Sequence, residues 1–324
     1  MAKVPGPVKL ALAAPARSAG LRLLFWTSVL GAGATVCPLH GCVRNELLGT
    51  IGGDGGTTAP PRFAPPTLVA ALSDANAIDE DPTFTGDLVE LFFMSNRAGS
   101  RDIWTSRRAS SGDPWQAPTR VTELDTTDSD WAPAVSLDGL RIWFASDRAS
   151  VGRGQIWHAS RASRAAAWDP PTPVAELASG SVDFAPAVDA TETILYLSSD
   201  RANAAATAGG ADFDLYASTR AAATDAWSWP APLAGVNGDS DEYDPFVAQG
   251  GLIVFFTSMR SGAGDIYWSS RRSLAEPFAA PSPVDDLNSN AYDSDTTLSP
   301  DLATLMFSST RSGNAEIYEA TALR

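Results

Sequence analysis

The sequence predicts an all-β fold, a five-bladed β-propeller of four-stranded antiparallel blades closed by an N-terminal outer strand. Three observations predict it. An apolar run ending in arginine recurs five times, acids, prolines and aromatics keep register with it, and a surplus outer-strand segment stands before the first repeat where the last repeat lacks one.

The run reads LFFMSNR at 91–97, IWFASDR at 142–148, LYLSSDR at 195–201, VFFTSMR at 254–260 and LMFSSTR at 305–311. Its arginines, Arg97, Arg148, Arg201, Arg260 and Arg311, are 51, 53, 59 and 51 residues apart, a spacing that marks a repeat architecture. The run is apolar at consecutive positions instead of alternating, so both faces of this strand (B) are expected to be buried. Sheets packed between like sheets provide that environment, and radial repetition leaves few open edges.

The other three strands follow from the register. Strand A contains Pro82, Pro133, Pro186, Pro245 or, breaking the rule, Thr296, and opens on an acid: Asp79, Asp130, Asp183, Glu242 and Asp293. Strand C opens at Asp102, Gln155, Asp214, Asp265 or Glu316, each followed by an aliphatic and an aromatic residue. Strand D opens on Phe63, Trp115, Trp168, Trp227 or Phe278, with a proline three residues on that suits an edge strand because it donates no ladder hydrogen bond. The chain ends after a C strand, and the segment from Phe63 to Leu72 is the D strand that completes the last blade.

Residues 1–42 read as a signal peptide, with Lys3, Lys9, Arg17 and Arg22 before the apolar stretch from Leu23 to Val36. Leu39, His40, Gly41 and Cys42 are similar to a bacterial lipobox, which implies lipidation at Cys42. A disulfide with Cys37, the only other cysteine, and a retained anchor are the alternatives. Residues 43–62 read as a flexible linker and 63–324 as the propeller. Beyond the leader, 19 basic residues, all arginine, face 38 acids, a formal charge of −19. A surface so acidic repels phosphate backbones, which excludes nucleic acid as a partner.

The segment from Pro133 to Gly139, followed by residues 142–148 and the Ile-aromatic pair of strand C, resembles the WD40-like PD40 repeat of the TolB propeller family. The resemblance spans about residues 63–321 and implies a protein-binding scaffold of the bacterial envelope. The chain departs from TolB itself in having five modules, not six, and no room for an N-terminal α/β domain.

Residues repeated in every blade read as fold determinants. The arginine at the end of B is expected to pair with the acid that opens C, across the short turn. Catalytic residues are scarce: His158 is the only histidine after the leader, and its counterparts Thr105, Ala217, Trp268 and Glu319 form no set. Ser-His-Asp and Cys-His catalysis therefore lose their base, and His or Cys metal clusters are excluded.

Departures from the repeat point to function. One residue after each repeated acid stand Glu80, Trp131, Phe184, Tyr243 and Ser294; two after stand Asp81, Ala132, Ala185, Asp244 and Asp295. In a propeller these lie at the channel mouth, on the face of the D–A and B–C loops, where blade three carries its longest insertion, from Ala202 to Phe213. Trp131, Phe184 and Tyr243 with Asp81, Asp244 and Asp295 are the expected partner site, for an envelope protein, peptide or glycan. Packing of the aromatics between blades is the plainer alternative. No cofactor is expected; Ca²⁺ at the three aspartates is an alternative that no loop motif supports. The rival class is a glycoside hydrolase using the same carboxylates.

Overall fold

The computed structural model describes residues 59–149, 153–202 and 212–323. The leader, Cys37, Cys42, most of the linker and the middle of the blade-three insertion lie outside them. Strand β1 (Thr67–Leu68) comes first. Blade one is β2 (Asp79–Phe84), β3 (Glu90–Ser95), β4 (Asp102–Arg107) and β5 (Thr119–Arg120). Blade two is β6 (Asp130–Val135), β7 (Arg141–Ser146), β8 (Gln155–Ser160) and β9 (Thr172–Pro173). Blade three is β10 (Asp183–Val188), β11 (Ile194–Ser199), β12 (Asp214–Thr219) and β13 (Ala231–Pro232). Blade four is β14 (Glu242–Ala248), β15 (Ile253–Ser258), β16 (Asp265–Ser270) and β17 (Ser282–Pro283). The last is β18 (Asp293–Leu298), β19 (Thr304–Ser309) and β20 (Glu316–Thr321).

Each sheet is antiparallel in the order A-B-C-D, and in the fifth blade β1 takes the outer place beside β20. The D strands are shorter than the sequence suggests: two residues pair in each, Thr67 with Glu319 and Leu68 with Tyr318 in the closing blade. Prolines inside or just before them cap the ladder there. The closure has polar support, since the Asp286 carboxylate accepts hydrogen bonds from the Phe63 backbone N–H and the Arg62 guanidinium.

Five apolar clusters make up the core, one in each seam between neighbouring blades. Strand β3 shows how consecutive apolar residues serve two seams: Phe92 packs towards blade two, while Leu91 and Phe93 pack towards blade five. Successive strand side chains point to opposite faces, so a strand buried on both sides must be apolar at every position.

The repeated arginine does not pair with the acid of strand C. Its partner is the acid that opens strand A: Arg97 with Asp79, Arg148 with Asp130, Arg201 with Asp183, Arg260 with Glu242 and Arg311 with Asp293, at 2.6–2.8 Å. Antiparallel register puts Asp79 opposite Ser95, two residues from Arg97, and so brings the pair together. Each guanidinium also donates to the serine two residues back and to a carbonyl in the D–A loop, that of Leu72 in blade one. The second oxygen of the acid accepts a backbone N–H from the same loop, Asp74 in blade one and Ser179 in blade three. The strand-C acids bond locally instead, Asp102 to Ser100 and Arg120, Glu316 to Ser312.

Candidate functional site

The five A strands line the central channel, and each kinks at the same point. Asp81, Ala132, Ala185, Asp244 and Asp295 all have φ between 48° and 58°, and the ladder to strand B loses register there. Aspartate tolerates this left-handed conformation better than alanine does. The bulge turns these five residues and the following Pro82, Pro133, Pro186, Pro245 and Thr296 into a narrow throat.

Neighbouring blades hold the bulge in place. Ser308 of β19 accepts the Asp81 N–H at 3.2 Å, and Ser198 of β11 accepts the Asp244 N–H at 3.0 Å. The equivalent residue of β3 is Met94, which has no hydroxyl, and the Ala132 N–H donates to the Asp81 carboxylate at 3.0 Å.

The three predicted aspartates meet in this throat. Carboxylate oxygens of Asp81, Asp244 and Asp295 lie within 4.8 Å of one another. Among the described residues no salt bridge reaches any of them. Burial first, then the neighbouring acids, holds the carboxyls of Asp81 and Asp244 well above the usual range. Glu80, at the rim, is pushed up to about 7 by burial and by Asp295, against the pull of Arg101.

Around the mouth, Phe184 and Tyr243 are joined by Phe213 from the B–C loop of blade three. Ring centroids lie 5.4 Å apart for Phe184–Phe213 and Phe213–Tyr243, and 6.0 Å for Phe184–Tyr243. Trp131 has a separate seat over Gly154, where a Cβ would come within 2.8 Å of the indole. Tyr292 lies over Gly264 in the same way, and burial and the charges of Asp244 and Asp295 raise its phenol pKa. All of these aromatics pack on neighbours and remain partly exposed.

Phe213, Tyr292 and Glu80 are site residues that sequence reasoning missed. Phe213 ends an insertion, and Tyr292 precedes the repeated acid, where the other blades show no pattern. Glu80 stood in the rim series, but as a lone acid among aromatics it gave no sign of a role. A larger cavity of about 330 Å³ opens on the opposite face, walled by the later halves of the A strands with Phe84, Val135, Val188, Phe246 and Leu298. The residue series did not point to it.

His158 lies away from the throat, on β8, with its ring 4.9 Å from that of Trp143. Burial, helped by Arg141 and Arg220, lowers its pKa to about 4. An unfolded imidazole titrates near 6.5, so as pH falls the unfolded chain takes up this proton first. His158 therefore favours folding above pH 6.5 and loses that effect towards pH 4. The variant His158→Phe, at a position where blade four carries Trp268, should flatten the fall in thermal midpoint between pH 6.5 and 4; an unchanged profile contradicts the assignment.

No family model and no curated protein matches the chain. Solved structures do. A thermostable family-43 glycoside hydrolase aligns with a TM-score of 0.53 at 14% identity, over 76% of this chain and 89% of that one. A GH43_1 enzyme from Xanthomonas citri aligns at 0.51 and 16%, over 79% and 90%. TolB from Acinetobacter baumannii aligns at 0.50 and 11%, over 78% of this chain and 56% of TolB's length. At these identities the likeness establishes the propeller fold.

Proposed function

We propose that the chain is a non-catalytic binding propeller of the bacterial envelope, which captures a protein, peptide or glycan at the face carrying the D–A and B–C loops. The observation that carries this reading is the partly exposed cluster of Phe184, Phe213 and Tyr243 beside an acidic throat. Aromatic faces bury area with little loss of conformational entropy, and carboxylates accept hydrogen bonds from amides or hydroxyls. The envelope location draws on the leader, the lipobox-like segment and the PD40 resemblance, and Cys42 is the residue proposed to carry the lipid.

The test is crosslinking capture from the native envelope by the mature protein. Alanine at Trp131 and Tyr243 together is expected to abolish capture, and unchanged capture by a correctly folded double variant counts against the rim.

A glycoside hydrolase is the second reading, and the observation that favours it is a fourth carboxyl, Glu80, beside the throat acids. The spacing of the three aspartates argues the other way. Retaining and inverting enzymes hold their carboxyl pair roughly 5–5.5 or 6.5–9.5 Å apart to admit the sugar or a water, whereas these oxygens lie within 4.8 Å. Turnover of any chromogenic glycoside that disappears in Asp244→Asn reverses the preference.

A further inference from the structure

We propose that the throat is a divalent-cation site, with Asp81, Asp244 and Asp295 as carboxylate ligands and Ca²⁺ as the ion its donors favour. One carboxylate oxygen from each aspartate lies within 4.8 Å of the other two, close enough for all three to reach a single ion. Ca²⁺ takes carboxylate oxygens at about 2.3–2.6 Å in a flexible geometry, whereas Mg²⁺ demands a near-ideal octahedron and keeps several of its waters. The donors are all oxygen, which suits hard cations and not zinc or copper.

Three acids alone do not distinguish a cation from shared protons, and the buried hydroxyls beside them supply the second observation. Thr257, on β15, occupies the strand position that Ser198 holds on β11 and Ser308 on β19. Those two serines reach into the throat and accept the bulge N–H groups. The Thr257 hydroxyl, in a residue 1% exposed, is turned to the Asp244 carboxyl and favours its charged form. Thr296, in the throat lining beside Asp295, is 7% exposed and its hydroxyl has no hydrogen-bond partner among the described residues. A buried hydroxyl is seldom left unpaired, and an ion or its bound water supplies the missing partner. Cation binding here does not depend on the aromatic rim, so either reading can fail without the other.

The test uses the full chain, stripped with EDTA and titrated calorimetrically with CaCl₂ and, in parallel, MgCl₂, while the thermal midpoint is followed. One Ca²⁺ per chain and a midpoint higher by several degrees are expected. Asp295→Asn should remove both responses. Its ion-free midpoint at pH 8 should exceed that of the wild type, since one of three like charges is gone, and this shows that the variant folds. Thr296→Val keeps the charges and should weaken Ca²⁺ binding about fivefold. Absence of a Ca²⁺ response, a response that survives Asp295→Asn, or a preference for Mg²⁺ each overturns the assignment.

Discussion

Replacing Arg201 by alanine is expected to destabilise the propeller by about 3–5 kcal/mol, the cost of leaving a buried carboxylate without its cation. Asp183 is 1% exposed and its partner Arg201 only 5%. The guanidinium also donates to Ser199 and to the Leu177 carbonyl, and packs 5.0 Å from the Tyr216 ring. Removing it therefore strips a loop carbonyl of its donor as well as unpairing the charge. Small domains are stable by only about 5–15 kcal/mol, so urea unfolding should show a large fall in midpoint. The double variant Arg201→Met with Asp183→Asn is expected to recover much of the loss, because no charge is then stranded and Asn still offers an acceptor to the Ser179 N–H. A single variant within 1 kcal/mol of the wild type would show that the pair contributes little. The exposed Arg62–Asp286 pair is the contrast: Arg62 is 69% exposed, and its removal should move the urea midpoint little and in a salt-dependent way.

The choice of partner for these arginines shows what the sequence made legible. Strand B, its doubly buried character and the five-fold register follow from local pattern, because a short strand that is apolar at every position must bury both of its faces. The strand-C acid was the nearer candidate along the chain, yet blade two has Gln155 there while Arg148 is held like its counterparts. The acid present in all five repeats was the better signal, and antiparallel register accounts for the success of a residue 18 positions upstream. The D strands were overestimated because pairing of two residues is decided by the neighbouring strand and leaves no periodic trace. At the throat, Asp81, Asp244 and Asp295 were legible as departures from a repeat. Thr257 was not, because only the antiparallel register of β14 and β15 brings its hydroxyl to Asp244. The bulge that aims the aspartates also left no mark in the sequence, since Ala132 and Ala185 hold a backbone conformation that alanine seldom adopts.

Gly235→Ala should be the most damaging of the glycine substitutions, at about 4 kcal/mol, because two independent penalties coincide. The residue has φ of +96°, and a Cβ there would lie 2.1 Å from the Phe278 carbonyl oxygen. The left-handed backbone alone costs an L-residue about 1–3 kcal/mol, and relieving a clash with main chain adds a comparable amount. Gly262 separates the two contributions. Its φ is +93° with nothing within 4 Å of the added Cβ, so Gly262→Ala should show only the backbone cost. Phe278 precedes the outer strand β17 of blade four, and its N–H donates to the carbonyl of Ala234 in blade three. Its ring belongs to the core of the seam between these two blades. The same seam carries Phe184 and Phe213 from blade three and Tyr243 from blade four, so a shifted Phe278 backbone should loosen the aromatic cluster. Gly235→Ala is therefore expected to lower partner capture as well as the urea midpoint, while Gly262→Ala lowers the midpoint alone. Equal losses of stability in the two variants would show that the outer contact yields easily and that the seam is held by its apolar core.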